Sequence, residues 1–352
     1  MAKRTRISEP GESDRIEGFP HPRETLDMVG QDVALGRAAR AIRSGKPPQG
    51  WLISGPPGIG KATLAYRIAR YLLAYGARDA GAEDLSVPGT DAASIQVAAG
   101  SHPGLLVLKR VINEKTGKLT TELPVDQVRR LAGFFGMTSG AGGWRVAIVD
   151  TADDMNANAA NAILKLLEEP PGRAMLLLLA NRPGQLLPTI RSRCQRLELR
   201  PLDDASVADA LKHYLPDADT EERASLARLS GGSIGQALQL ASGEGRELAA
   251  EADCLIDQAA TPDTIALLAL GDKLSRMKDG LPRFADFLLE ALGARIRAKA
   301  RQPGAPVERW TALTTRLEDN FSRSRGLNLE PRQTILSAAR DMAATASRAG
   351  SL

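Results

Sequence analysis

Gly55-Pro56-Pro57-Gly58-Ile59-Gly60-Lys61 is the segment of this chain best equipped to bind an anion. Gly55, Gly58 and Gly60 let backbone N–H groups turn inward around phosphate oxygens, and Lys61 can reach the β- and γ-phosphates of a nucleotide. An apolar run, Trp51-Leu52-Ile53-Ser54, precedes the loop and a helical pattern follows it. That is the context in which such a loop adds the positive end of a helix to its own amides. One element is missing. The position after the lysine normally carries Ser or Thr, whose hydroxyl binds Mg²⁺. Here it is Ala62. Thr63 follows, but one helical residue turns the side chain by about 100°.

A second candidate closes the run Val146-Ala147-Ile148-Val149-Asp150. A strand-end aspartate can hold Mg²⁺ in phosphoryl-transfer sites, or it can cap the following turn. The next residue is Thr151, which has no carboxylate to activate water. Asp153 is expected to point elsewhere. Asn181, after the run Met175–Leu179, can serve as a polar sensor of a γ-phosphate or as a loop former. Arg193, in Ser192-Arg193-Cys194 and flanked by Arg191 and Arg196, has the planar fork that suits phosphate. On composition alone, a surface ion pair is the better reading of it. Arg295, Arg297, Lys299 and Arg301 end a helical stretch, where cations favour the helix dipole. They are a small patch for DNA.

These residues need a scaffold. The runs 51–54, 146–149 and 175–179 are short and almost wholly apolar, as strands of a parallel sheet buried on both faces must be. Helices are predicted over 61–75 and 155–169 from apolar spacing. Ligands of such sheets bind beyond the carboxyl ends of the strands, where Gly55, Asp150 and Asn181 would stand. The stretch Gly76–Gly100 reads as a surface insertion and 138–143 as a loop. After Pro201 helical patterns dominate, broken at Leu229–Ser233, and no internal repeat is evident.

Composition excludes several classes. The 352 residues are 43% hydrophobic and 25% charged, which fits a globular chain of two or three domains. The longest apolar run, Ala174–Ala180, is seven residues, against about 20 for a bilayer span. The N-terminus has no apolar signal segment, so a cytoplasmic location is expected. Two cysteines, Cys194 and Cys254, and three scattered histidines make no metal site. The net charge of +4 and 4% aromatic content do not point to a base-stacking DNA binder.

Taken together, Gly55–Lys61, Val146–Asp150, Asn161-Ala162-Ile163-Leu164-Lys165-Leu166-Leu167-Glu168-Glu169-Pro170-Pro171 and Leu187-Pro188-Thr189-Ile190-Arg191-Ser192-Arg193-Cys194 resemble the AAA+ clamp-loader family of bacterial DNA polymerase III. Leu327-Asn328-Leu329 resembles the family's C-terminal domain. Residues 1–18 are polar and charged with no period and read as a disordered tail. The resemblance implies an α/β P-loop AAA+ domain with a parallel sheet over 19–200. A small helical lid over 201–245 and a C-terminal helical collar over 246–352 would follow. It further implies a hetero-oligomeric ring with gamma/tau motor and delta subunits, which loads a sliding clamp on primed DNA. In the family, Ser-Arg-Cys supplies an arginine finger in trans, a role that would fall to Arg193. An active motor would carry Ser or Thr at 62, Glu at 151, and arginine in the segment Gly232-Ser233-Ile234-Gly235-Gln236. All three are absent here, which fits the family's non-hydrolysing subunit type. Gly55, Gly58, Gly60, Lys61, Asp150 and Asn181 would then form a degenerate site, open to weak ATP or ADP binding with Mg²⁺. Many members carry a four-cysteine zinc module; this chain has no cysteines for one. The alternatives are an ATP-hydrolysing gamma/tau-like motor and a DNA-binding module on a degenerate AAA+ fold.

Overall fold

The structure is a computed structural model that describes residues 16, 18–78, 83–110, 123, 125–136, 143–277, 280–301, 307–327 and 329–349. Most of the tail expected at 1–18, most of the loop at 138–143, and Asn328 lie outside these residues. In chain order the elements of the first part are α1 (Asp32–Arg43), β1 (Gly50–Ser54), α2 (Lys61–Tyr75), α3 (Ala92–Ala98), β2 (Leu105–Leu108), α4 (Val125–Gly136) and β3 (Arg145–Val149). Then come α5 (Ala157–Glu168), β4 (Ala174–Ala180), α6 (Pro188–Arg193) and β5 (Gln195–Glu198). The strands form one parallel sheet in the order β2-β3-β4-β1-β5.

The apolar runs are central strands because both of their faces are covered. Trp51, Ile53, Val146, Ile148, Met175, Leu177 and Leu179 pack with α1 and α2 in one layer. Leu52, Ala147, Val149, Leu176, Leu178 and Ala180 pack with α4, α5 and α6 in the other. Alternate residues along each strand serve opposite layers, as the pleat requires. The register sets Ser54 beside Ala180 and Val149 beside Leu178. Gly55, Asp150 and Asn181 therefore leave the sheet along one edge.

The expected helix at 61–75 is α2. The one expected from 155 begins at Ala157, because the Asn156 side chain caps it by accepting the Ala159 N–H. The reading of Gly76–Gly100 as a surface insertion needs correction. Leu85, Val87 and Val97 are buried in the same layer as α2, and Asp91 caps α3. Their burial depends on isolated apolar residues with no period to reveal it. Buried arginines tie this region down. Arg67 donates to the carbonyls of Leu26 and Asp84 and pairs with the Asp84 carboxylate, while Arg70 donates to the carbonyls of Thr25 and Arg23. Carbonyl partners are what make a buried guanidinium tolerable.

The helices that follow are α7 (Asp204–Tyr214), α8 (Thr220–Leu229), α9 (Ile234–Ala241), α10 (Gly243–Asp257), α11 (Thr264–Arg276), α12 (Gly280–Lys299), α13 (Glu308–Leu327) and α14 (Pro331–Ala349). No strand occurs after 201 among the described residues. The chain forms two compact units. One takes in the described residues up to Ala227 together with Gly232–Leu238; the other takes in Arg228–Gly231 and those from Gln239 onward. In the second unit, α12 buries Phe284, Phe287, Leu288 and Leu292, and α13 buries Trp310, Leu313, Leu317 and Phe321. Both sets follow helical spacing.

Candidate functional site

The loop between β1 and α2 depends on its glycines. Gly58 has φ 70° and Gly60 φ 102°, in the left-handed region that side chains disfavour. Gly60 precedes the first turn of α2 and leaves that turn's N–H groups uncapped by any side chain. Lys61 is buried, and its ammonium donates to the carbonyls of Gly55 at 2.7 Å and Pro56 at 2.6 Å. Burial pulls its pKa down to about 8, while the charges of Asp150 and Asp153 act in the opposite direction. The loop thus keeps the backbone form and the lysine of a phosphate cradle.

The hydrolytic parts do not accompany it. Ala62 packs against the core cluster, so its position offers a methyl where a metal would need an oxygen. Thr151 takes the left-handed conformation, φ 53°, uncommon for a β-branched residue, and its hydroxyl donates to the Asp150 carbonyl at 2.7 Å. The turn it starts, Ala152–Asp154, carries Asp153 back toward the strand ends. This corrects the expectation that Asp153 points elsewhere. Its carboxylate accepts the N–H groups of Asn181 at 3.1 Å and Arg182 at 2.9 Å, and its charge acts on Lys61. Asp150, whose N–H donates to the Leu108 carbonyl at 2.8 Å, Asn181 and Lys61 are therefore brought to one edge, with Asp153 as an unforeseen member. A spacing of three residues would be its only sequence signal.

A further contact was not foreseen. The Ser233 hydroxyl donates to the Pro57 carbonyl at 3.0 Å, and the Gly235 N–H donates to the Gly58 carbonyl at 3.0 Å. The segment read only as having lost an arginine is seated on the phosphate loop.

Arg193 is elsewhere. It ends α6, and its carbonyl lies beside Gly50, the first residue of β1. Gly55 follows the last residue of that strand, so the strand's length, about 16 Å at 3.3 Å per residue, separates the two positions. The guanidinium pairs with Glu168 at 3.0 Å and donates to the Thr189 carbonyl at 3.1 Å, while 40% of the side chain stays exposed. Cys194 is buried, and burial pushes its thiol up to about 12.

The basic helix end is largely neutralised within its own unit. Arg295 pairs with Asp253 and Asp257, and Arg297 pairs with Glu290. Among the described residues no cluster of three or more His, Cys, Asp or Glu could hold a metal, and no helix is long and apolar enough to cross a membrane.

A family model described as DNA polymerase III, delta subunit, matches residues 30–203. The delta-prime subunit of DNA polymerase III from Pseudomonas aeruginosa is 43% identical over 184 residues, 52% of each chain. That from Escherichia coli is 33% identical over 226 residues, 64% of this chain and 61% of the relative. The tau subunit from Escherichia coli is 27% identical over 319 residues, 88% of this chain and 45% of the relative. The chain thus spans about half the length of the curated relatives it matches. With its five-stranded parallel sheet and glycine-rich loop, the chain carries an α/β domain followed by a helical C-terminal part.

Proposed function

From the match of residues 30–203 to the DNA polymerase III delta subunit model and the likeness to delta-prime subunits, we propose that the chain belongs to the AAA+ clamp-loader family of DNA polymerase III and works as a delta-prime-type subunit. It helps to load the sliding clamp on primed DNA, in a cytoplasmic hetero-oligomeric ring with gamma/tau motor and delta subunits. Its own site does not turn over ATP, and Arg193 is donated to a neighbouring motor. Residues 19–200, 201–245 and 246–352 act as nucleotide-type domain, lid and collar.

The observation that carries this reading is the separation of Arg193 from its own phosphate loop along the length of β1. A half-exposed guanidinium at that end is out of place for the chain's own nucleotide and available to another subunit's. In a neighbour's site it would stabilise charge developing on the transferred phosphoryl group. Gly58, Gly60 and Lys61 would hold the phosphates of weakly bound ATP or ADP in this chain's loop. Asp150 would be left to approach the Mg²⁺ without the hydroxyl that Ala62 lacks.

Tau matches more of the chain, but Ala62, Thr151 and Gly235 remove what a motor would use. The test is reconstitution with gamma/tau and delta subunits. A stable complex that loads a labelled clamp on primed DNA, together with negligible Mg²⁺-dependent turnover by the chain alone, is the expected result. Turnover by the isolated chain, sensitive to Lys61→Ala, would overturn the reading.

A further inference from the structure

The segment Gly232–Gln236 meets the phosphate loop through a serine hydroxyl and a backbone N–H rather than through a charged side chain. Besides the two bonds to the Pro57 and Gly58 carbonyls, the Ser233 hydroxyl accepts the Gln236 N–H at 3.2 Å, so one oxygen joins the loop to the first turn of α9. The approach is as close as backbones allow. A Cβ on Gly235 would stand 2.7 Å from the Gly58 Cα and 3.0 Å from its carbonyl oxygen. A Cβ on Gly58 would stand 2.6 Å from the Ser233 oxygen and 3.1 Å from the Gly235 Cα. Glycine is a poor helix former compared with alanine, so Gly235 in α9 runs against local propensity. Close packing gives it a reason. The Gly232 carbonyl accepts the Leu202 N–H at 3.0 Å, which fixes the segment from its other side.

We propose that Gly58, Ser233 and Gly235 form a latch that seats residues 232–238 on the phosphate loop through the chain's own hydrogen bonds, so that this docking needs no nucleotide. A side chain at 235 and this spacing exclude each other. An arginine there would have to ride further from the loop, with the gap filled by something else. The latch follows from these contacts alone and stands whether or not Arg193 acts in trans.

Hydrogen exchange on the full chain tests it. Without nucleotide, amides of 232–238 should be protected, and Mg²⁺–ATP should leave that protection unchanged. Gly235→Ala should speed their exchange roughly tenfold or more while the amides of β1, β3 and β4 stay protected. Helix propensity alone predicts the opposite sign for this substitution. Protection of 232–238 that appears only with Mg²⁺–ATP would overturn the latch, as would Gly235→Ala exchanging no faster than wild type. If Gly235→Ala unfolds the sheet as well, the wild-type comparison with and without Mg²⁺–ATP decides alone.

Discussion

At the carboxyl end of β1 the Gly55–Lys61 loop turns its polar groups onto its own chain. Lys61 is bound to the Gly55 and Pro56 carbonyls, and Ser233 and Gly235 take those of Pro57 and Gly58. At the amino end of the same strand Arg193 keeps a half-exposed guanidinium, held among the described residues by Glu168 and the Thr189 carbonyl. In the first region Lys61 is buried and the loop carbonyls are satisfied from within the chain, although Pro56, Pro57 and Gly58 are exposed. The second is a fixed charge held by partners that water can replace. On the proposed reading, the loop keeps the shape of a nucleotide site while the charge offered to a neighbour sits at the opposite end of β1.

The largest effect on stability that separates the two ends is expected at Lys61. In wild type the folded state holds the lysine proton less tightly than the unfolded chain does. Stability should therefore rise with pH between about 8 and 10.5. Lys61→Met removes that liability and should raise stability at pH 7 by roughly 1–3 kcal/mol. The gain should shrink as pH climbs through that window. Denaturant titrations of both proteins across it are the check, and a destabilised Lys61→Met at pH 7 would mean that the lysine supports the loop. At the other end, Glu168→Gln breaks an exposed pair and should change stability by less than about 0.5 kcal/mol in the same titration. A much larger loss would make Arg193 structural, against the comparison. The smallest perturbation is chemical. In the folded chain a thiol reagent should label exposed Cys254 promptly and leave Cys194 unmodified, because burial holds its thiol protonated. Mass mapping that finds Cys194 labelled first would show that the Ser-Arg-Cys end is looser than described.

Much of this was readable in the residues, for reasons that also mark where reading failed. β1, β3 and β4 are buried on both faces and therefore appear as unbroken apolar runs. β5, Gln195-Arg196-Leu197-Glu198, buries only Leu197 at the sheet's edge and gives no such signal. β2 is only half-buried for most of its length and was missed with it. Lys61, Asp150 and Asn181 were legible because each follows a strand in sequence. Asp153 was not, since a left-handed Thr151 and a short turn deliver it. The Gly58–Gly235 contact joins residues far apart in the chain, and a glycine announces only that something is close, not what.

The most direct measurement is ATP turnover by the reconstituted clamp loader on primed DNA, comparing wild type, Lys61→Ala and Arg193→Ala. Fingers supplied in trans to other nucleotidases are worth on the order of 10³–10⁵ in rate, so Arg193→Ala should cost at least roughly tenfold, with folding intact by circular dichroism. Lys61→Ala should leave turnover within about twofold of wild type. If Lys61→Ala is instead the damaging change and Arg193→Ala is silent, the chain is itself a motor and the account is wrong.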